Sequence, residues 1–415
     1  MTSCVEGDSV NPRIDKDWLQ KIFRISEDDS KLCVSSYELG NMGGKGENYL
    51  SWMCRVQANV LRSGNKPDQI SIFVKELPVG KALWETMAKS SAFPNEIKVY
   101  SQVLPRYHDI LNNIRPGTNA HFAARLIYSE NDMHVLAVQD LTSEGFKMAE
   151  RRQGLALTHC SLVMRALARY HAVSVSLHDE DPCLIESFKE NFVTEETSTA
   201  VIKKIYESSI GAVADLVQSW PVVGERTAGK LRKLSVSSHD VVKRQLLPAG
   251  SRLNVLTHGD LWVNNLLFRY DDISGAVRDV RFVDFQMTTF ASFAIDLQHF
   301  IHTSPSDDVR ANHTDDLLMA YHRELSSTLE LLGQGHRVIC FEELMEEYEK
   351  KGQYGLIMSL VALPIIIGNP EDAEDLDQIL SESFLTQKMY NRANNKQYIC
   401  VLKRILPEYE AKGYV

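Results

Sequence analysis

The chain has 415 residues, a formal net charge of −10 and a globular composition, with 44% hydrophobic and 24% charged residues. The acidic balance argues against a nucleic-acid-binding protein, because phosphate backbones select clusters of lysine and arginine. The sequence contains no run of about 18 apolar residues that could span a bilayer. Its N-terminus lacks the pattern of a secretory signal. The seven cysteines are scattered without a CxxC pair, so we expect a reduced, cytoplasmic protein with neither a zinc site nor a disulfide framework.

The first part of the chain predicts a small antiparallel sheet. Strand patterns occur in five stretches: 33–39, 49–61, 70–77, 121–130 and 134–141. A glycine-rich loop at 40–48 separates the first two of them. A helix is expected around 95–104, with Asn95 as its N-cap. Residues 1–138 are therefore predicted to form a β-rich lobe with one helix.

The rest of the chain, residues 139–415, is predicted to form a large and mainly helical lobe. An amphipathic helix pattern covers 160–177, and a mainly helical insertion follows at about 178–252. A short stretch of β-type sequence at 253–286 interrupts the helices, which resume from about 291. A β-rich lobe followed by a helical lobe predicts an α+β enzyme with two lobes.

The β-type stretch contains the pattern that is most informative about chemistry. In the loop at 256–268, His258, Asp260, Leu261 and Asn265 match the His-x-Asp-Leu-x-x-x-Asn spacing of kinase catalytic loops. In such loops the Asp accepts a proton from the substrate hydroxyl, and the Asn holds a metal ion on the nucleotide phosphates. The alternative is that His258 and Asp260 only cap a turn. The match at all four positions favours catalysis.

A second carboxylate follows on the apolar strand pattern at 280–286. Asp284, nineteen residues after Asn265, fits a magnesium ligand that bridges phosphate oxygens. The intervening sequence predicts a hairpin turn, which would bring the two metal ligands together. Further on, Asp296 begins a helical stretch, and we expect it to support the backbone of the catalytic loop, as His258 does, rather than to act directly in the chemistry.

The first lobe offers candidates for contact with the nucleotide. Lys75 lies inside an apolar strand, as in the V-A-I-K strand of kinases, whose lysine pairs with the α- and β-phosphates. Glu96, on the following helix, is its natural partner. The alternative is a surface lysine and a glutamate on a solvated helix face. The order of glycine loop, lysine strand, glutamate helix and catalytic loop favours the pair.

Two backbone segments complete the predicted nucleotide site. The glycine-rich loop could place N–H groups over the phosphates, although it is not a Walker A motif. Its candidate residues are Gly43, Gly44, Lys45 and Gly46. The strand that ends at Gln139 is expected to enter the hinge between the lobes, where backbone groups up to Leu141 could hydrogen-bond an adenine.

The acceptor is expected to be a small molecule rather than a protein. Protein kinases carry an activation segment that closes on Ala-Pro-Glu and docks the peptide. Here only eleven residues separate Asp284 from Asp296, and no Ala-Pro-Glu occurs. The helical insertion ahead of the catalytic loop is the expected place of the substrate pocket.

Several stretches together resemble the ecdysteroid kinase-like family, which is related to choline kinases and aminoglycoside phosphotransferases. They lie between about residues 35 and 310 and read GKGENY, NEIKVYSQVLP, LARYHA, HGDLWVNNLLF, VDFQ and DLQHF. The resemblance implies a protein-kinase-like two-lobed fold, ATP and Mg²⁺ as cofactors, and a hydroxyl of an ecdysteroid or similar steroid as the phosphate acceptor.

The resemblance also implies roles for individual residues. It supports Asp260 as the base, and Asn265 and Asp284 as the metal ligands. It likewise supports Lys75 with Glu96 as the pair that positions the phosphates. The chain departs from the family at Gln139, where an acidic residue is frequent, so its hinge contacts are expected to differ.

Three functions stay open at this point. The first is a kinase for a hydroxylated apolar compound, for which the bulky Trp262 beside the predicted base offers a packing surface, unless it packs in the core. The second is a choline or ethanolamine kinase or a detoxification kinase for other hydroxylated compounds. A cationic acceptor could find a cage in the insertion, which contains Glu195, Glu196, Tyr206, Asp215 and Trp220. The third is a binding module without turnover. None of them implies nucleic acid, a membrane or an obligate protein partner.

Overall fold

The computed structural model describes residues 13–41, 52–77, 89–114, 116, 121–132, 134–221, 224–368, 389 and 391–415. The elements up to the end of the first sheet are α1 (Lys16–Ser26), β1 (Cys33–Asn41), β2 (Trp52–Arg62), β3 (Lys66–Glu76), α2 (Ala92–Lys98), α3 (Leu104–Ile114), β4 (Leu126–Glu130) and β5 (Val135–Gln139). Those that follow are β6 (Phe146–Met148), α4 (Leu157–Glu180), α5 (Pro182–Glu186), α6 (Glu196–Gln218), α7 (Gly224–Leu246), β7 (Asn254–Leu256), β8 (Leu266–Tyr270), β9 (Val277–Phe282), β10 (Phe290–Ser292), α8 (Ala294–Thr303), α9 (Asp307–Asn312), α10 (Thr314–Leu331), α11 (Phe341–Lys350), α12 (Gly352–Val361), α13 (Leu363–Ile366) and α14 (Lys396–Ala411).

The first lobe is an antiparallel sheet with the strand order β1-β2-β3-β5-β4. Along β2, Val56, Ala58 and Val60 are buried while the residues between them are not, which is the pattern of a strand with one covered face. Helix α1 covers that face with Leu19 and Phe23, and these residues form a core of their own. The predicted five-stranded sheet is confirmed, whereas α1 was not predicted.

The helix that follows the sheet's third strand differs from its prediction. It begins at Ala92, passes through a π-helical turn at Val99–Val103 and continues to Ile114. Asn95 lies inside this helix and is not its N-cap, so that prediction was wrong. Pro94 is tolerated there because the N–H groups of a first helical turn have no intrahelical partner.

The second lobe packs its helices around one large core. Helix α4 contains the predicted helix and packs against α10, while α6 packs against α7 in the insertion. A three-stranded sheet, β6-β8-β9, lies next to the cleft, and a two-stranded ladder pairs β7 with β10. The hairpin predicted between β8 and β9 is confirmed. Strand β6 was missed, because the chain from residue 139 onward was expected to be mainly helical.

These elements confirm the predicted α+β fold, with a small antiparallel sheet before a large helical part. The boundary between residues 138 and 139 stays a prediction. In the described ranges, no helix has both the length and the apolar character that crossing a membrane requires.

Asp140 ties the end of β5 to the neighbouring strands. Its carboxylate is fully buried and accepts hydrogen bonds from Arg55 Nε (2.8 Å), Ser71 Oγ (2.7 Å) and Thr142 N (2.8 Å). Burial alone would raise the pKa of Asp140, but the hydrogen bonds from Thr142, Ser71 and Arg55 outweigh it and lower that pKa. This carboxylate therefore fixes β2 and β3 against the segment that joins the two lobes.

We expect Asp140→Asn to lower the free energy of unfolding by about 2–4 kcal/mol at pH 7, because Arg55 loses its buried anion. Since folding lowers the pKa of Asp140, its stabilisation is present above the unfolded-state pKa and is lost as the pH falls through the folded-state value. The difference between wild type and variant should therefore shrink below about pH 4. Urea unfolding of both proteins at several pH values measures this difference in the free energy of unfolding. Asp272→Asn, at an exposed position, is the control and should change little.

Candidate active site

A cleft of about 450 Å³ lies between the first sheet and the β8–β9 hairpin. Its apolar lining includes Met53, Phe73, Val138, Met148 and Leu267. Its polar lining includes Lys75, Glu96, Asp260, Asn265 and Asp284. An apolar slot joined to a set of charged groups suits a ligand with a flat ring at one end and charges at the other.

Lys75 is at the centre of the charged groups. It points from β3 into the cleft, and its Nζ lies 2.7 Å from Glu96 Oε2 and 3.0 Å from Asp284 Oδ1. The residues come from a strand, a helix and the segment after β9, so the lysine joins parts of the chain that are far apart in sequence. The predicted pair of Lys75 and Glu96 is thus in contact, and Asp284 completes it.

The three groups carry one positive and two negative charges when all are ionised. Burial alone would lower the pKa of Lys75, but the charges of Asp284 and Glu96 raise it, so the lysine stays cationic. Burial raises the pKa of Glu96 to about 7, against the opposing effect of Lys75. The pKa of Asp284 is lowered, because Lys75 outweighs the effect of its burial. The cluster retains excess negative charge and can accept a further cation.

Asp260 lies in the same cleft, on the loop after β7. Its Oδ2 accepts hydrogen bonds from Asn265 Nδ2 (3.0 Å) and Trp262 Nε1 (3.3 Å). Burial raises the pKa of Asp260 to about 7, and the negative charge of Asp284 adds to this. A carboxylate with a raised pKa, positioned by two donors, has the properties of a general base.

The end of β9 brings Asp284 next to Asn265. Val283 N donates to the carbonyl oxygen of Asn265 at 3.1 Å, which holds the two candidate metal ligands together. Asp284 has a left-handed backbone with φ of 67°, and Gln286 Nε2 donates to its Oδ1. A left-handed carboxylate residue beside a cleft is the kind of backbone strain that concentrates at functional sites.

The donor set suits a hard divalent cation such as Mg²⁺. Lys75 and Gln286 both bind Oδ1 of Asp284, and the hydrogen bonds of the Asn265 side chain both use its Nδ2. Asp284 Oδ2 and Asn265 Oδ1 are therefore the oxygens that the site offers, and Mg²⁺ is bound mainly by a few such oxygens plus phosphates and water. No cluster of three or more His, Cys, Asp or Glu suited to a metal is found among the described residues.

The carboxylate of Asp296 contacts the backbone of the loop at 256–268. Its carboxylate accepts hydrogen bonds from the backbone N–H groups of His258 (2.6 Å) and Gly259 (2.9 Å), and lies 3.0 Å from His171 Nε2. Burial alone would raise the pKa of Asp296, but the contact with His171 lowers it. The His171 ring is held in turn by Tyr321, whose hydroxyl lies 2.7 Å from Nδ1.

His258 connects the loop at 256–268 to the segment that carries Asp284. Its Nδ1 accepts a hydrogen bond from Asp260 N (3.3 Å), so Nε2 carries the proton and donates to the carbonyl oxygen of Val283 (3.1 Å). Burial lowers the pKa of His258, which keeps the ring neutral. The side chain thus links the segments that carry Asp260 and Asp284 without adding charge.

The remaining predicted residues have different outcomes. Gln139 and Leu141 both line the cleft, at the hinge. Trp262 packs against the large core and also lines the cleft, so its packing against an acceptor stays a prediction. The phosphate-loop candidates Gly43, Gly44, Lys45 and Gly46 lie outside the described residues.

Sequence reasoning missed three residues of the site. Gln286 was seen only as part of the VDFQ stretch, and Tyr321 lies in a helix that showed no motif. His171 is part of LARYHA, a stretch that carried the family resemblance without a role for its histidine. The contacts of His171 with Asp296 and Tyr321 join residues far apart in the chain, so spacing alone gives no signal for them. Gln286 lies only two residues after Asp284, and its contact with that carboxylate was not predicted.

The turn at Gly259 gives a test of this geometry. Gly259 has φ of 83°, and a Cβ there would lie 2.0 Å from the carbonyl oxygen of Met287. Gly259→Ala should therefore lower the free energy of unfolding by at least about 3 kcal/mol. Gly275→Ala is a matched control, because φ is 67° and nothing lies within 4 Å of the added Cβ. Gly275→Ala should lower the free energy of unfolding by only about 1–2 kcal/mol, as measured by urea unfolding. Equal losses for both variants would contradict the close contact with Met287.

Comparisons with known proteins give one family and several structural neighbours. Comparison with curated proteins finds no match. Solved structures similar to the chain include an ethanolamine kinase of Plasmodium vivax, with 13% identity, a TM-score of 0.41 and coverage of 92% of this chain and 89% of that one. A choline kinase from Cryptosporidium parvum Iowa II has 14% identity, a TM-score of 0.46 and coverage of 97% and 98%. The GDP complex of an aminoglycoside 2'-phosphotransferase has 12% identity, a TM-score of 0.37 and coverage of 96% and 99%.

The family match covers most of the chain and includes all the residues described above as lining the cleft. It extends over residues 45–334, from before β2 to just beyond α10. Lys75, Asp260 and Asp284 all fall within this range. The chain therefore belongs to the ecdysteroid kinase-like family.

Proposed function

We propose that the protein transfers the γ-phosphoryl group of ATP to a hydroxyl of a small, largely apolar molecule, most simply an ecdysteroid or a similar steroid. The observation that carries the proposal is the convergence of Lys75, Asp284, Asn265 and Asp260 in one cleft. Each is a residue type that phosphoryl transfer needs, in the order along the chain that kinases use.

The nucleotide would lie along the cleft. Its base would occupy the apolar slot between Phe73 and Val138 on the sheet and Leu267 on β8, next to the hinge backbone at Gln139. Lys75 would bind the α- and β-phosphates, with Glu96 holding the lysine in place. A flat adenine ring gains from such an apolar slot, because burying it removes apolar surface from water.

Asp284 and Asn265 would hold Mg²⁺ on the phosphates. When bound, the ion supplies charge neutralisation of the β- and γ-phosphate oxygens. The excess negative charge around Lys75 fits this role, because a divalent cation would balance it. Lys75 Nζ donates to Oδ1 of Asp284, so Oδ2 is the oxygen that would bind the ion.

Asp260 would orient the acceptor hydroxyl and accept its proton. The acceptor oxygen forms a bond to the γ-phosphorus while the bond from that phosphorus to the β–γ bridging oxygen breaks, and ADP leaves with the bonding electron pair. The proton of the acceptor hydroxyl passes to the Asp260 carboxylate. Because the transition state is loose, correct orientation of the hydroxyl contributes more than strong basicity.

A cationic amino alcohol is a second candidate acceptor, and one observation favours it. Trp262 lines the cleft, and its Nε1 donates to Asp260 Oδ2, so an aromatic ring lies beside this carboxylate. Aromatic rings beside a carboxylate attract ammonium ions as well as apolar skeletons.

The proposal is tested by incubating the protein with ATP and Mg²⁺ and a panel of acceptors, with detection of products by mass spectrometry. The panel contains 20-hydroxyecdysone, other polyhydroxylated steroids, choline, ethanolamine and plant glucosides. We expect a phosphorylated steroid from the wild type and at least about a 100-fold lower rate from Asp260→Asn. A phosphorylated amine would favour the second candidate. ATP binding without any product would contradict the kinase proposal and indicate a binding module.

The metal assignment predicts a separate result in a binding experiment. Wild-type protein should bind ATP more tightly with Mg²⁺ than without, and Asp284→Ala should lose that difference, because it removes the carboxylate that faces the phosphates. Calorimetric titration with ATP, with and without Mg²⁺, measures both. Asp272→Ala, at an exposed position, should keep the wild-type difference. Near-normal phosphorylation by Asp284→Ala would contradict the assignment.

A further inference from the structure

His299 is a buried residue of the second lobe and has no role in the proposed reaction so far. It lies on α8, three residues after Asp296, so both side chains point to the same side of the helix. Its side chain is only 5% exposed. Its Nδ1 lies 3.3 Å from the hydroxyl of Tyr354, and its Nε2 points at Asp260, 3.6 Å from Oδ1.

The surroundings of the ring determine which nitrogen carries the proton. If Nδ1 were protonated, Nε2 would direct a lone pair at the carboxylate of Asp260, which is repulsive. The opposite tautomer lets the Tyr354 hydroxyl donate to Nδ1 and directs the Nε2 hydrogen at Asp260. Burial lowers the pKa of His299 to about 4, so the ring is neutral at physiological pH.

The Nε2 hydrogen has no acceptor among the described residues. Its distance of 3.6 Å from Asp260 Oδ1 is slightly longer than a hydrogen bond. Catalytic hydrogen bonds are often long without substrate and shorten in the complex. A movement of about half an ångström would give an ordinary N–H···O bond here.

The two oxygens of Asp260 differ in the donors they already have. Oδ2 accepts from Asn265 and from Trp262, which accounts for both of its lone pairs. Oδ1 faces His299 and keeps one lone pair when the histidine donates to it. That lone pair is the one left for an acceptor hydroxyl, and the histidine determines the direction in which it points.

We propose that His299 is a positioning residue for Asp260, which donates its Nε2 hydrogen to Oδ1 and so fixes the carboxylate in the rotation that receives the acceptor hydroxyl. This inference rests on the proposed role of Asp260 as the group that accepts the hydroxyl proton. A neutral donor suits this role, because a cation at the same place would reduce the proton affinity of the carboxylate much more.

A pair of variants separates positioning from packing. His299→Leu removes the donor and keeps an apolar side chain of similar size, whereas His299→Gln keeps an N–H donor near the position of Nε2. With the panel compound that the wild type phosphorylates fastest, His299→Leu should lower kcat by about 10- to 100-fold, by analogy with other orienting partners. KM for ATP should change by less than about threefold, because the interaction acts on the transition state. His299→Gln should recover most of kcat.

Two results would overturn the role. Unchanged kcat in His299→Leu would show that the Asp260 carboxylate needs no such donor. Equal losses of kcat in His299→Leu and His299→Gln, with equally lowered melting temperatures, would show that the ring only packs.

A measurement without an acceptor decides the question independently of the proposed function. In protein labelled with ¹⁵N-histidine, the ring signals of His299 are assigned by their loss in His299→Gln. We expect a neutral ring protonated at Nε2, whose signal shifts in Asp260→Asn. A cationic ring, a proton on Nδ1, or signals that do not respond to Asp260→Asn would each overturn the inference. If no panel compound is phosphorylated while these signals are as expected, the proposed substrate class fails and the contact between His299 and Asp260 stands.

Discussion

The arrangement of the cleft depends on a buried lysine that faces more negative charge than it can balance. Lys75 contacts Glu96 and Asp284, and Asp260 adds a third carboxylate close enough to respond to the charge of Asp284. Removing such charges from water costs free energy unless their pairing is complete. Together with the left-handed backbone of Asp284, the excess charge is unfavourable for stability by itself. A bound divalent cation would complete the pairing.

The buried carboxylate of Asp296, unlike those around Lys75, is fully paired within the protein. It is also removed from water, but the backbone N–H groups of His258 and Gly259, with His171, satisfy it from within the protein. Because backbone donors cannot move away, this charge is held whether or not a ligand is present. The loop at 256–268 is therefore anchored from within the protein, and the unbalanced charge is confined to Asp284 and its neighbours, where the proposal places the phosphates.

Those parts of the candidate site whose residues lie close together in the sequence could be predicted from local motifs. The loop of Asp260 and Asn265 is a local pattern, and the hairpin to Asp284 is marked by a turn between two apolar stretches. The five strands were predictable because alternating burial leaves a period of two in the chain. The contact of His171 with Asp296 joins residues 125 positions apart, and such pairs leave no local trace. The start of α2 was mispredicted because Pro94 suggested a boundary, whereas a first helical turn accepts proline.

The groups proposed to bind the phosphates lie on the first sheet and the β8–β9 hairpin, whereas Trp262 lies beside Asp260 on the loop after β7. Its ring could pack on a steroid skeleton or attract an ammonium group. The two acceptors make different demands on Asp260, because an ammonium group would compete with the hydroxyl for the same carboxylate. Oδ2 of Asp260 already accepts two N–H groups, so little of the carboxylate is left to share. A neutral skeleton that brings only a hydroxyl to Asp260 fits this arrangement better than a cation does.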